Sequence, residues 1–208
     1  MNFSIDKTRT LLYNCIIKNI IKGDDETMTT RALSIEELKA VLEIAKNGNE
    51  KKRPNKKLYF ALMLQANTGL RIGDVLELRL KHFQNGCIVI EEQKTGKLQY
   101  RELNPRLMEL VKDYAIEEKI EKENKLFNKF SVRVVQKHLK EISEELNLTN
   151  ISTHSFRKFF ANMQYENNNH DIQLLKELLN HSSIATTQRY LKVSQEKINE
   201  ASKTHFIE

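Results

Sequence analysis

Apolar positions recur at intervals of three and four residues through most of this chain, and they alternate with polar ones over only one short stretch. From Lys7 to Lys22, KTRTLLYNCIIKNIIK sets Leu11, Leu12, Cys15, Ile16 and Ile20 at helical spacing. One amphipathic helix is expected there, with too little around it to form a core of its own. The polar run GDDETMTTRA then reads as a linker. Next, SIEELKAVLEIAKNG opens on Ser34 with Glu37 three residues later, a capping box, and its helix should stop near Asn47–Gly48. The boundary therefore falls near Arg31: residues 1–31 form an N-terminal helix and linker, and residues 32–208 the main domain.

LYFALMLQANTGL is apolar nearly all round, which predicts a buried helix ending at Gly69. A shorter helix follows from Gly73 in GDVLELRL. CIVIEE and LQYREL, joined by the turn-forming QKTGK, make the one convincing β-hairpin. Beyond Pro105 the pattern is helical again, over about 105–119, 131–146, 153–166, 171–180, 183–192 and 195–204. No internal repeat or low-complexity segment interrupts it. The predicted fold is mostly α with a small antiparallel hairpin or sheet, an α+β class.

Composition narrows the picture only a little. A length of 208 residues suits one compact domain plus a small appendage, and Gly 6 with Pro 2 suits helices. The formal charge of +6 favours a polyanionic partner only modestly. Cys15 and Cys87 lack CxxC spacing or a nearby histidine cluster, so neither a disulfide framework nor a zinc site is expected. No signal peptide opens the chain and no apolar run is long enough to span a bilayer, so a soluble, cytoplasmic protein is expected. The basic run KNGNEKKRPNKK, with Lys51, Lys52, Arg53 and Lys56, is either a solvated loop or a set of phosphate contacts.

Several short stretches carry candidate chemistry. In THSFRKFF, His154 and Arg157 project from one helix face, with Phe156, Phe159 and Phe160 anchoring the other side and Lys158 following as a further cation. In TGLRIGD, Arg71 sits between two helices, where a guanidinium needs an anion or an acid to meet it; Asp74, one turn on, can supply one. Lys94 and Lys97 stand on the hairpin turn. His181 in LLNHSS precedes Ser182 and Ser183, either of which can cap the helix carrying Tyr190. Each feature alone has an ordinary structural explanation. Together they suit a phosphodiester: arginines bind its non-bridging oxygens, a lysine can protonate a leaving oxygen, and a tyrosine with a pKa of about 10 needs a base to become a nucleophile. No carboxylate cluster for a metal appears, so side chains would supply the positive charge, without a metal or other cofactor.

The stretches TGLRIGDVLELR, QKTGK, THSFRKFFAN and LLKELLNHSSIATTQRYLKV, with the hairpin between the first two, resemble the tyrosine recombinase (phage integrase) family from about Ser34 to Phe206. The resemblance implies that family's catalytic-domain fold and a site-specific strand exchange without metal or ATP. Tyr190 would attack the scissile phosphate, leaving a 3′-phosphotyrosyl link and a free 5′-hydroxyl. Arg71 and Arg157 would hold the non-bridging oxygens, and Lys94, or else Lys97, would protonate the leaving oxygen. His154 would help take the tyrosine proton, His181 would hydrogen-bond the phosphate, and Asp74 would support Arg71. The resemblance also implies double-stranded DNA as partner, a tetramer on that DNA, and a C-terminal helix docked on a neighbouring subunit. A type IB topoisomerase shares the chemistry, and a non-catalytic DNA-binding protein could share the fold. Asn180 stands where the family has glycine, a change that left-handed geometry tolerates. The segment before Arg31 resembles only the tail of the family's separate DNA-clamping domain, so the chain is either a catalytic fragment or a short recombinase.

Overall fold

A computed structural model of the chain describes residues 30–94 and 96–191, together with 199 and 202–204. The helix expected over Lys7–Lys22 and its linker lie outside the described residues. So does most of the terminal helix expected over 195–204, of which Asn199, Ser202 and Lys203 are helical.

The elements follow the hydrophobic pattern closely. Helix α1 (Ile35–Asn47) starts at the expected capping box: Ser34 Oγ accepts from the Glu37 amide at 3.1 Å, and Glu37 Oε2 accepts from the Ser34 amide at 2.9 Å. Helix α2 (Lys56–Thr68) is buried along most of its length and ends at Gly69, whose φ of 66° is left-handed. Helix α3 (Ile72–Glu77) and a 3₁₀ turn at Leu80–His82 lead into the sheet.

The sheet holds one strand more than the hairpin predicted. Strand β1 (Phe83–Gln84) pairs antiparallel with β2 (Cys87–Glu91), which pairs with β3 (Leu98–Glu102). A two-residue strand is too short to show alternation, so the pattern could not reveal it. Pairing of Val89 with Tyr100 and of Ile90 with Gln99 fixes the register. Because side chains alternate along a strand, Ile88, Ile90, Gln99 and Arg101 share the inward face.

Helices α4 (Pro105–Glu117), α5 (Val132–Glu145), α6 (Thr153–Asn167), α7 (Ile172–Leu178) and α8 (Ile184–Gln188) complete the described chain. The main core joins Leu58, Leu62 and Leu64 of α2 to Ile88, Val111, Leu139 and Phe156. Within it the Phe60 and Tyr114 rings stack with centroids 3.9 Å apart. A smaller cluster of Phe160, Ala161, Leu175 and Leu179 forms beside it, with Tyr190 and Leu191 packed against it. The candidate site lies where these two clusters meet. No helix among the described residues is long and apolar enough to cross a membrane.

Candidate active site

Gly69 is the hinge on which the site is built. A Cβ there would come within 2.3 Å of Phe160 Cδ1, so only glycine lets α6 pack against the end of α2. That packing brings Arg157 to the carbonyls at the ends of two helices. Arg157 Nη1 donates to Gly69 O at 2.6 Å, and Nη2 donates to Leu179 O at 2.7 Å. Arg101 makes a parallel pair of bonds, Nη2 to Thr68 O at 2.6 Å and Nη1 to Leu178 O at 3.1 Å. Both helix ends therefore have their free carbonyls met by guanidinium groups, that of Arg157 fully buried and that of Arg101 half-buried. Spacing put Arg157 on a face shared with His154. The structure instead buries Arg157 completely, while His154 is exposed in the first turn of α6. Burial is also the main force lowering the Arg157 pKa.

Arg71 meets a carboxylate that sequence spacing did not single out. Its Nη1 lies 2.6 Å from Glu92 Oε2, whereas Asp74 Oδ2 is 4.0 Å away. Glu92 is fully buried, and its other oxygen accepts from Gln99 Nε2 at 2.6 Å. Asp74 supports the site differently, accepting from the Gln93 amide at 3.0 Å, which ties α3 to the base of the hairpin turn. Burial raises its pKa, and only in part do that amide and Arg71 pull it back. Glu92 follows Ile88 and Ile90 at alternate positions and Arg101 faces the same way, so the hairpin's inward parity carried the signal for both. A charged residue at an inward strand position is rare without a partner.

The hairpin turn is closed by Gly96, whose amide donates to Glu92 O at 2.8 Å. Lys94 and Lys97 are both exposed on it. The positive charge of Lys94 lowers the His154 pKa, while that of Lys97 acts on His181. The two lysines thus overlook different histidines of one site. The His154 side chain, though exposed, is partly desolvated by its neighbours, and that is the largest depressing influence on its pKa, followed by Arg157, Lys158, Arg71 and Lys94.

His181 is buried and its ring bonds on both sides. Nε2 lies 3.2 Å from Arg157 Nη2, and Nδ1 lies 3.0 Å from Thr187 Oγ1. Burial, then the charges of Arg157 and Arg71, push its pKa down to about 4. Of the histidine expected to hydrogen-bond the phosphate, Nε2 faces Arg157 here.

Tyr190 was expected within a helix over 183–192. Helix α8 is shorter, capped by Ser183, and Tyr190 lies in the turn beyond it with its amide donating to Thr187 O at 2.9 Å. Its ring centroid is 5.0 Å from that of His181 and 6.0 Å from Arg157 Cζ. Lys158 Nζ also lies 6.0 Å from the ring, and it donates to the Thr30 carbonyl.

The structure thus gathers Arg71, Asp74, Lys94, Lys97, His154, Arg157, Lys158, His181 and Tyr190 around one region. Lys51, Lys52, Arg53 and Lys56 are not part of it. They sit before or at the start of α2, the end opposite Gly69, and a 13-residue helix spans about 20 Å. Lys52 pairs with Glu141 at 3.3 Å, and Lys56 pairs with Glu117.

A family model described as the phage integrase family matches residues 31–197. The probable integrase/recombinase YoeC of Bacillus subtilis is 32% identical over 154 residues, covering 72% of this chain and 84% of that protein. Tyrosine recombinase XerA of Pyrococcus horikoshii is 26% identical over 82% of this chain and 60% of its own. Among solved structures, the XerH site-specific recombinase in a post-cleavage complex with palindromic difH substrate aligns with a TM-score of 0.66 and 26% identity. That alignment covers 83% of this chain and 52% of the XerH chain, so this chain spans about half the length of that relative.

Proposed function

The chain belongs to the phage integrase family, and on that premise we propose that it is a tyrosine recombinase, breaking and rejoining DNA strands at a specific site through a 3′-phosphotyrosyl intermediate. One juxtaposition carries the reading. Tyr190 packs against His181 and the guanidinium of Arg157, so an aromatic hydroxyl and a fixed cation share one site.

In the proposed reaction Arg71 and Arg157 bind the non-bridging oxygens of the scissile phosphate and stabilise the charge that builds there. Glu92 holds the Arg71 guanidinium in place, and Asp74 braces α3 beneath it. His154, whose pKa is lowered by partial desolvation and by the surrounding cations, takes the Tyr190 proton. The Tyr190 oxygen bonds to phosphorus as the bond to the 5′-oxygen breaks, and Lys94, or else Lys97, gives that oxygen its proton. His181, packed against Arg157, donates a hydrogen bond to the phosphate. Attack by a 5′-hydroxyl on the phosphotyrosyl link reverses the steps, and the covalent intermediate preserves the bond energy without ATP.

The partner proposed is double-stranded DNA bearing a recombination site, bound by a tetramer that exchanges its C-terminal segment between subunits. The cations clustered at the site support DNA as the partner, and the XerH structure similar to this chain was solved on difH substrate. The likeness to integrases and recombinases does not favour a topoisomerase-like or non-catalytic role.

The test is a nicked suicide duplex carrying the recombination site. A covalent protein–DNA adduct should form in EDTA and be absent from Tyr190→Phe. An EDTA-sensitive cut, or an adduct that persists in the variant, sinks the mechanism. A 5′-bridging phosphorothioate should rescue Lys94→Ala, because sulfur leaves without a proton; failure of that rescue moves the role to Lys97.

A further inference from the structure

Thr30 and Arg31, where residues 1–29 join the domain, are fastened to the loop before α6 and to α6 itself. The Arg31 amide donates to Asn150 O at 3.0 Å, and its Nε donates to Thr149 O at 3.0 Å. The same guanidinium forks onto Glu37 at 2.7 and 2.6 Å, which ties the entry segment to α1 as well. The Thr30 hydroxyl lies 3.0 Å from Ser152 Oγ, the oxygen that caps α6 by accepting from the His154 amide at 3.2 Å. One turn beyond His154, Lys158 Nζ donates to the Thr30 carbonyl.

Lys158 also bears on Tyr190. Its Nζ lies 6.0 Å from the ring centroid, within the reach at which a cation is drawn to an aromatic face. Arg157 Cζ lies 6.0 Å from the same ring, so consecutive side chains of α6 both act on it. They differ in what anchors them. Arg157 is held from within, by the Gly69 and Leu179 carbonyls, whereas Lys158 is held by a carbonyl of the entry segment. A lysine stem is flexible, so the place of its ammonium over the ring is set in part by the carbonyl that receives it. Tyr190 depends on such neighbours because it lies in a turn beyond α8.

We propose that Lys158 is a positioning residue that couples the docked entry segment, Thr30–Arg31, to the Tyr190 ring, so that strand cleavage responds to whether that segment is seated on α6. The effect on rate rests on the strand-cleaving reaction proposed above, whereas the effect on the Tyr190 turn does not.

Amide hydrogen exchange, followed residue by residue by NMR on the full chain, tests the coupling without DNA. Arg31→Ala removes the side-chain bonds to Thr149 and Glu37 and leaves Lys158 and Tyr190 intact. It should speed exchange of the Tyr190 amide about tenfold, as should Lys158→Met, while the Leu62 amide in the middle of α2 is unchanged. Lys158→Arg keeps a cation and a donor and should restore slow exchange. On the suicide duplex Arg31→Ala and Lys158→Met should each slow adduct formation about tenfold, and the double variant should be no slower than either, since both break one link. An unchanged Tyr190 amide in either variant overturns the coupling. So do additive losses of rate, or a Lys158→Arg protein as impaired as Lys158→Met. Faster exchange at Leu62 in both variants makes the effect a general loss of stability and overturns it too. Faster exchange at Tyr190, in a protein whose unsubstituted form makes no adduct, counts against the proposed reaction and not against the coupling.

Discussion

Arg101 and Arg157 bind neighbouring carbonyls at the same two helix ends, Thr68 and Gly69 on one side and Leu178 and Leu179 on the other. One arginine comes from the sheet and the other from α6, so the two together lock the hairpin, α2, α6 and α7 into one frame. Arg157 also touches His181 and Tyr190. Arg101 bears on the same frame from behind, over the Phe160 ring at 5.9 Å.

This division of labour predicts separable effects. Arg101→Met leaves two carbonyls without donors and should lower stability by about 2 kcal/mol or more, read as a shift in the urea midpoint. Arg157→Lys keeps the charge but not the fork that spans Gly69 and Leu179. It should lower adduct formation by about a hundredfold or more, a larger loss than its drop in stability accounts for.

Glu92→Gln tests the buried partner of Arg71. The amide is nearly the same size but carries no charge, so the 2.6 Å ion pair becomes an ordinary hydrogen bond. Adduct formation should slow by about tenfold to a hundredfold with a smaller loss of stability. A full rate in the variant would show that Arg71 is held by Asp74 after all.

Gly69→Ala should be among the most damaging single changes in the fold. The position needs a φ of 66°, and an added Cβ meets Phe160 at 2.3 Å. Strain and overpacking together should cost about 2–4 kcal/mol, visible as a lowered melting temperature and weaker adduct formation.

His181 gives the protein a pH dependence. Its pKa falls from the ordinary 6.5 to about 4 in the folded chain, so the unfolded chain binds the proton more readily. Stability from this group is complete above about pH 6.5, declines as pH falls, and is lost once pH passes about 4. The shift corresponds to about 3 kcal/mol across that window. Urea titrations at several pH values should show the slope in the unsubstituted protein and a flatter one in His181→Asn.

Much of this was legible in the chain itself. The capping box at Ser34 and Glu37, the stop at Gly69 and the hairpin itself follow from local spacing, because backbone and side-chain geometry repeat every two or 3.6 residues. Asn180 is left-handed, φ 53°, as the resemblance implied for a position where the family has glycine. The order of Arg71, the hairpin lysines, His154, Arg157, His181 and Tyr190 carries the family resemblance in the sequence alone.

Tertiary packing decided the rest. Arg71 chose Glu92, 21 residues away, over Asp74 one turn on, because the inward parity of the hairpin presses a buried carboxylate against it. Arg157, on a helix whose pattern suggested a surface, is fully buried because Gly69 lets α6 approach α2 closely enough for its carbonyl to be met, 88 residues away in sequence. Tyr190 left its helix for a turn because Thr187 takes up its amide there. Local spacing sets which residues can share a face, but only the packing of distant elements sets which of them meet.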